Sequence, residues 1–191
     1  GGQNWPSLPI FFMQEIDFTY NKTEDEKCRK RYDAFIEKNG DVWGMSRKVK
    51  QLFIIKGVRF SADVTEITKA YDKIFSIACP EVTGYVVTTP FSMINDDEEF
   101  REDASVLYYS FYTSNPSVVI AHELFHIYFE KYTQRNIPNY DEAKEYFTVI
   151  MNDIFQIEVS GGYPKHQEIR KKIFDVWEKT RSLEECIALL G

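Results

Sequence analysis

The most apolar stretch of the sequence, residues 118–129, is the feature that most constrains the fold. It is shorter than the roughly 18–20 apolar residues that span a bilayer, and His122, Glu123 and His126 interrupt it. Asn115 and Pro116 precede it, and proline is favoured at the first helical position because its missing N–H would have no partner there. The sequence therefore predicts a helix over residues 116–133 in a soluble, folded chain.

Length and composition narrow the class of protein. A chain of 191 residues suits one domain, and no linker or repeat divides it, so we expect a single domain over residues 1–191. Lys and Arg number 23 against 30 Asp and Glu, a net charge of −7, which argues against a nucleic-acid partner. Because the chain opens Gly1-Gly2-Gln3 without Met, we expect a truncated or processed start, which leaves localisation unknown and export open.

Hydrophobic spacing predicts further helices and strands. Helical spacing occurs at residues 23–38, 64–75, 141–155 and 167–180, and less clearly at 42–53. Thr23, with Glu26 three residues later, resembles a capping box at the first of these helices. β-Branched and aromatic runs predict strands at residues 84–91 and 104–113, with weaker signals at 10–13 and 51–60. Helices mixed with segregated strands indicate an α+β domain.

Residues 122–126 match the pattern H-E-x-x-H on the predicted helix. Four residues advance a helix by about 400° and roughly 6 Å, so the His122 and His126 imidazoles project from one face. Two neutral imidazoles bind Zn²⁺ and leave room for a third protein ligand and a water, from which Glu123 can take a proton. With three histidines in the chain, the number of matches expected by chance is on the order of 0.003. The pattern therefore predicts a zinc site.

These residues resemble the zincin metallopeptidases. The resemblance covers the H-E-x-x-H helix and the helix that follows it, about 40 residues. It implies a small mixed or antiparallel sheet packed on the active-site helix, and a peptide or protein substrate. It also implies that residues 106–112 form an edge strand beside this helix and align the substrate, with aromatic side chains there as possible subsites.

The third metal ligand separates the zincin subfamilies. Metzincins place a glycine and a third histidine where this chain has Phe129 and Tyr132, so that pattern fails. Gluzincins take a glutamate from the next helix, about 18–19 residues beyond the second histidine. Glu145 fits this spacing, and Glu142 is the alternative. Depth within the second helix favours Glu145, whereas a helical wheel places Glu142 nearer the edge of the apolar stripe.

Supporting residues follow less directly from the resemblance. Gluzincins of the thermolysin type carry an aspartate four residues after the ligand glutamate, but Val149 occupies that place here. Candidates for the hydrogen bond that would orient a ligand histidine are Asp141, Asn152 and Asp153. Candidates for a group that stabilises the transition state are His166 and Tyr163.

Together these residues predict a zinc-dependent hydrolase, a metallopeptidase with Glu123 as general base and His122, His126 and Glu145 as metal ligands. Two alternatives remain open. One is a hydrolase of non-peptide amides that uses the same site, and the other is a non-catalytic metal-binding or interaction module. Glu123 argues against the second, because a purely structural metal site has no need of a general base.

Overall fold

The first half of the chain, together with residues up to 110, contributes the five strands of a mixed sheet. The computed structural model describes residues 15–40, 59–78, 80–90, 92–95, 105–111, 115–156 and 162–191. In chain order the strands are β1 (Glu15–Tyr20), β2 (Arg59–Asp63), β3 (Val82–Val87), β4 (Met93–Ile94) and β5 (Ser105–Ser110). They lie in the order β2-β1-β3-β5-β4. The inner strands β1, β3 and β5 are parallel, and the outer strands β2 and β4 are antiparallel to their neighbours.

The strands differ in part from those the sequence predicts. β3 and β5 correspond to the predictions at residues 84–91 and 104–113. The prediction at 51–60 overlaps β2 at its last two residues, and the rest of it lies outside the described residues. The β-like run at residues 10–13 and the helix at 42–53 lie outside the described residues. β1 was not predicted, although Ile16 and Phe18 are buried and alternate with exposed Glu15 and Asp17, the pattern of a strand with one covered face.

Helices cover both faces of this sheet. They are α1 (Lys22–Asn39), α2 (Thr65–Phe75), α3 (Pro116–Thr133), α4 (Tyr140–Phe147), α5 (Met151–Phe155), α6 (Gln167–Thr180) and α7 (Leu183–Ile187). Short 3₁₀ turns occupy Thr148–Ile150, Pro164–His166 and Ala188–Leu190. This mixture of helix and strand agrees with the predicted α+β class. Among the described residues, no helix is long and apolar enough to cross a membrane.

Helix α1 packs on one face of the sheet, where Cys28 meets Val87 and Tyr108 in a buried apolar cluster. Its N-terminus is capped by Asn21, whose side chain accepts hydrogen bonds from the backbone N–H groups of residues 23 and 24. The predicted cap at Thr23 is therefore wrong by two residues. Asn21 has the extended backbone that a capping residue needs, whereas Thr23 already lies inside the helix.

Helices α2 and α3 pack on the opposite face and share a core of aromatic rings. The Tyr71 ring lies edge-on to Phe125 and Tyr128, with ring centroids 5.7 and 5.3 Å apart. Its hydroxyl donates to the carbonyl of Ala121 over 2.8 Å. Because Ala121 directly precedes His122, this buried contact fixes the turn of α3 that carries the first histidine.

The bounds of α3 agree with the predicted helix over residues 116–133. Asn115 caps it by accepting from the Val118 N–H, and Pro116 is the first helical residue. The helix ends where Gln134 adopts a left-handed conformation with φ of 49°. Ten of its residues are buried, including Glu123 and His126, so the sheet and the later helices enclose it.

The predicted helix at residues 141–155 is interrupted. The chain forms α4, then the 3₁₀ turn Thr148–Ile150, then α5. Thr148, Val149 and Ile150 are consecutive β-branched residues, which are less favourable in an α-helix. The Thr148 hydroxyl also donates to the backbone carbonyl of Glu145 over 2.8 Å. Together these features end α4 shortly after Glu145.

Candidate metal centre

Helix α3 brings the two motif histidines together on one face. The Nε2 atoms of His122 and His126 are 2.9 Å apart, and their rings are nearly perpendicular at 89°. The side chain of His126 is 4% exposed and that of His122 is 28% exposed. Since the residues are one helical turn apart, this convergence follows directly from the i, i+4 spacing.

Helix α4 adds Glu145 to the pair. Its carboxylate places Oε1 3.3 Å from Nε2 of His126 and Oε2 3.7 Å from Nε2 of His122. The turn between α3 and α4 reverses the chain through left-handed residues Gln134, Arg135 and Asn139. Because the turn is short, α4 folds back beside α3 and its carboxylate meets the imidazoles.

The three side chains, hereafter the His122–His126–Glu145 cluster, could hold a metal ion, since one ligand atom from each lies within 4.8 Å of the others. Zinc bonds to imidazole nitrogen and carboxylate oxygen are about 2.0–2.2 Å long, which separates the ligand atoms of a tetrahedral site by about 3.3 Å. The observed separations of 2.9, 3.3 and 3.7 Å bracket this value. Two nitrogens and a carboxylate also suit zinc chemically, so the residues fit the ion.

Electrostatics within the cluster favour a cation between these groups. Burial, aided by the neighbouring His126, lowers the pKa of His122 to about 3. Burial also acts to lower the pKa of His126, but the charge and hydrogen bond of Glu145 outweigh it and the pKa is raised. Burial acts to raise the pKa of Glu145, and the charge of His126 reverses this and brings the pKa to about 2. The shifts therefore favour the forms in which Glu145 and His122 bind metal, an ionised carboxylate and a neutral imidazole, whereas His126 must first lose its proton.

Glu142, the alternative third ligand, does not join the cluster. Its carboxylate accepts hydrogen bonds from the Tyr146 hydroxyl over 2.8 Å and from Nζ of Lys165 over 2.6 Å. Its side chain is 46% exposed, and the bond from Lys165, aided by that from Tyr146, lowers its pKa. The structure therefore places Glu145 at the imidazoles and Glu142 at the segment that precedes α6.

Glu123, the predicted general base, is 7% exposed and follows His122 on α3. Its charge contributes to the raised pKa of His126, so its carboxylate is within electrostatic range of the cluster. If the cluster holds a metal ion, a carboxylate in this range could exchange a proton with a water bound there.

The two candidates for transition-state stabilisation lie on the α4 side of the cluster. The His166 ring is buried between Tyr146 and Tyr163, with centroids 4.6 and 5.1 Å away. Neither ring nitrogen of His166 has a hydrogen-bond partner among the described residues. Burial, with a contribution from the charge of Glu145, raises the pKa of Tyr163 to about 12. Tyr163 is therefore a protonated donor within electrostatic range of Glu145.

Asp153, one of the three candidates for an outer contact to the cluster, has its partners elsewhere. The carboxylate of Asp153 accepts from Nε1 of Trp177 over 3.1 Å and from the guanidinium of Arg181, so it does not orient a ligand histidine. Nδ1 of His126 is buried and has no partner within the described residues. Sequence reasoning missed Arg170 of α6, which donates to the Glu145 carbonyl over 2.6 Å. No motif marks it, because its partner is a backbone atom.

β5 is not the edge strand that the resemblance implies. β4 lies outside it, with Met93 and Ile94 paired to Tyr108 and Leu107, so the middle of β5 is already paired on the side where a peptide strand would be added. Tyr108 and Tyr109 are buried and pack in the core rather than in subsites. Phe111, just beyond β5, is 47% exposed, whereas residue 112 lies outside the described residues.

Similarity to known proteins assigns this centre no role. A scan against protein-family models, a search of curated proteins and a search of solved structures each found no match to the chain.

Proposed function

We propose that this chain is a zinc-dependent hydrolase of the gluzincin type that cleaves peptide bonds. The observation that carries the proposal is the convergence of the His122, His126 and Glu145 ligand atoms from two consecutive helices. The motif fixes only the first two of these residues. A carboxylate brought to them from the next helix supplies the third ligand that a catalytic zinc site of this kind requires.

The openness of the site favours a catalytic over a structural metal. Structural zinc sites are closed by four protein ligands, whereas catalytic sites keep one position for water or substrate. Among the described residues the cluster offers three ligands, and the side chains of His122 and Glu145 are 28% and 27% exposed. Solvent therefore reaches one side of the cluster, and buried Glu123 lies within electrostatic range of His126.

The zincin architecture is part of this proposal. A mixed sheet packs on α3, the helix of the motif, and the following helix α4 carries Glu145. These are the elements that the resemblance implies, in the same order along the chain. They support the proposed fold, even though β5 does not lie at the edge of the sheet.

In the proposed mechanism, the chain positions a water and moves its proton. Zn²⁺, when bound, would lower the pKa of water toward 7 and polarise the scissile carbonyl. Glu123 accepts the proton of the attacking water and then delivers it to the leaving amine. The Tyr163 hydroxyl, which its pKa of about 12 keeps protonated at neutral pH, donates a hydrogen bond to the developing oxyanion. Buried His166 packs against the Tyr163 ring and holds it in place.

Glu123→Gln tests this function. We expect the wild-type protein to bind about one zinc per chain and to cleave members of a peptide library, as detected by mass spectrometry. The variant should retain zinc and lose roughly 10²–10⁴-fold in rate, because only the proton acceptor is removed. Glu130→Gln is the matched control, since Glu130 lies on the same helix and pairs with Arg135 instead. Zinc bound at one per chain without cleavage of any peptide would refute peptidase activity.

A further inference from the structure

A buried arginine lies directly behind the ligand carboxylate. Arg170 of α6 is 4% exposed, and its Nη1 donates to the Glu145 backbone carbonyl over 2.6 Å and to Oγ1 of Thr148 over 2.8 Å. The Thr148 hydroxyl donates to the same carbonyl over 2.8 Å. One guanidinium and one hydroxyl therefore hold the backbone of the residue whose side chain reaches the imidazoles.

The position of Glu145 in its helix explains why its carbonyl needs these donors. α4 ends at Phe147, and the last four carbonyls of a helix have no partner within the helix. These carbonyls carry negative partial charge, which favours a cation nearby. Arg170 meets both requirements from a different helix, so it couples α6 to the C-terminal turn of α4.

Gly162 shows that the chain is built closely around the same guanidinium. A Cβ added at this glycine would lie 3.2 Å from Cζ, Nε and Nη1 of Arg170. Its φ of 65° also lies in the region that favours glycine. Burial lowers the pKa of Arg170 and the charge of Glu145 opposes this shift, so the carboxylate is within electrostatic range of the guanidinium.

We propose that Arg170 is a positioning residue that sets the zinc affinity of the His122–His126–Glu145 cluster by fixing the backbone of Glu145. The inference rests on the proposed function, because it takes zinc as the metal. Loss of an outer contact that orients a ligand typically weakens metal binding by about 10–100-fold. We expect that loss here, because without the guanidinium the Glu145 carbonyl would lose its charged donor and keep the weaker one, the Thr148 hydroxyl.

The test compares two arginines of the same region by Zn²⁺ competition with a chromophoric chelator. Arg170→Met should weaken zinc binding by about 10–100-fold. Arg181→Met is the matched control, because Arg181 follows α6 but contacts Asp153 and the Trp177 ring. It should lower the melting temperature of the metal-free protein and leave zinc affinity within about threefold of wild type. A zinc affinity within threefold of wild type for folded Arg170→Met would overturn the proposal.

A double-mutant cycle distinguishes positioning from general destabilisation. If Arg170 acts through Glu145, Arg170→Met should cost less than about threefold further affinity in a Glu145→Ala background. An equal loss in both backgrounds would overturn the proposal. Thr148→Val is a second variant, in which a methyl group of similar shape replaces the hydroxyl. It should also weaken zinc binding. Wild-type protein that binds no zinc would overturn the proposed function as well, whereas tight binding by both wild type and Arg170→Met overturns only this role.

Discussion

Nε2 of His126 lies 3.3 Å from Oε1 of Glu145, and the two residues come from successive helices, α3 and α4. The charge of Glu145 outweighs the effect of burial and raises the pKa of His126, which favours the protonated imidazole in the metal-free protein. A metal ion at Nε2 would compete with that proton for the same ring nitrogen. This substitution of metal for proton underlies the first two predictions.

Zinc should stabilise the fold through these ligands. At a free zinc concentration about 100 times the Kd, a single site adds about 2.7 kcal/mol, which for a domain of this size corresponds to about 5–10 °C in melting temperature. We expect this increase in differential scanning fluorimetry and its reversal by a chelator. His126→Ala should abolish the zinc-induced increase, whereas His166→Ala should keep it. An equal increase for His126→Ala would exclude this site.

Zinc binding should release a proton at acidic pH. A raised pKa means that more than half of His126 is protonated at pH 6.5, its ordinary pKa. As the pH falls below the raised pKa, zinc must displace this proton and affinity should drop about tenfold per pH unit. Above that pKa the affinity should level off. Calorimetry at pH 6, where a zinc-bound water would mostly keep its proton, in buffers of different ionisation enthalpy measures the proton released from His126, and zinc binding without proton release at this pH would contradict the assignment.

Glu145→Gln and Glu142→Gln should separate the two candidate ligands. Both substitutions remove one charge from α4, but only Glu145 contacts the imidazoles. We expect Glu145→Gln to weaken zinc binding by about 100-fold or more, beyond the usual effect of an outer contact. Glu142→Gln should leave affinity within about threefold and instead loosen the contact to Lys165. Chelator competition gives both affinities, and the reverse order would make Glu142 the ligand.

Tyr163→Phe should lower kcat without changing zinc affinity. Removal of one oxyanion donor typically costs about 10²–10³ in kcat, and KM should change little because the hydroxyl acts in the transition state. Tyr146→Phe is the control, since Tyr146 also packs on His166 and has a pKa of about 12, but its hydroxyl donates to Glu142. Equal kcat losses for both variants would indicate a packing effect.

Gly84→Ala should destabilise the sheet. A Cβ at this position of β3 would lie 2.7 Å from Cδ1 of Phe18 and 2.8 Å from Cγ2 of Ile16 on the neighbouring strand. Such overpacking typically costs about 1–3 kcal/mol of unfolding free energy. Thr83→Ala, at the exposed residue before it, should cost less than about 1 kcal/mol. Urea unfolding of both variants measures the difference, and equal values would show that the sheet adjusts around the methyl group.

Sequence patterns predicted the elements whose ends are marked by local chemistry. Asn115 and Pro116 mark the start of α3, which agrees with the predicted helix over residues 116–133, and α6 also agrees with its prediction. Helix α7 was missed, although Ser182 and Glu185 have the spacing of a capping box and Ser182 does cap it. The edge position of β4 could not be predicted, because a two-residue strand carries too little pattern and its place depends on pairing with β5.

Helical spacing predicts the part of the candidate site that lies on a single helix, α3. His122 and His126 converge because they are one turn apart on a helix. The choice between Glu145 and Glu142 depended on the direction of α4, and the partner that draws Glu142 away is Lys165, in a segment beyond α5. The contact from Arg170 to a main-chain carbonyl leaves no trace in residue patterns, since any residue could supply that carbonyl.

The placement of the cluster on one helical hairpin affects how the protein would assemble. All three candidate ligands lie within residues 122–145, so bringing them together closes a short loop, whose entropic cost is small. The parallel pairs of the sheet join distant segments and form contacts of high sequence separation, which are slow to form. A metal ion held by α3 and α4 would therefore crosslink a fast-forming local unit, and the slower sheet would then assemble against a helix pair that is already joined.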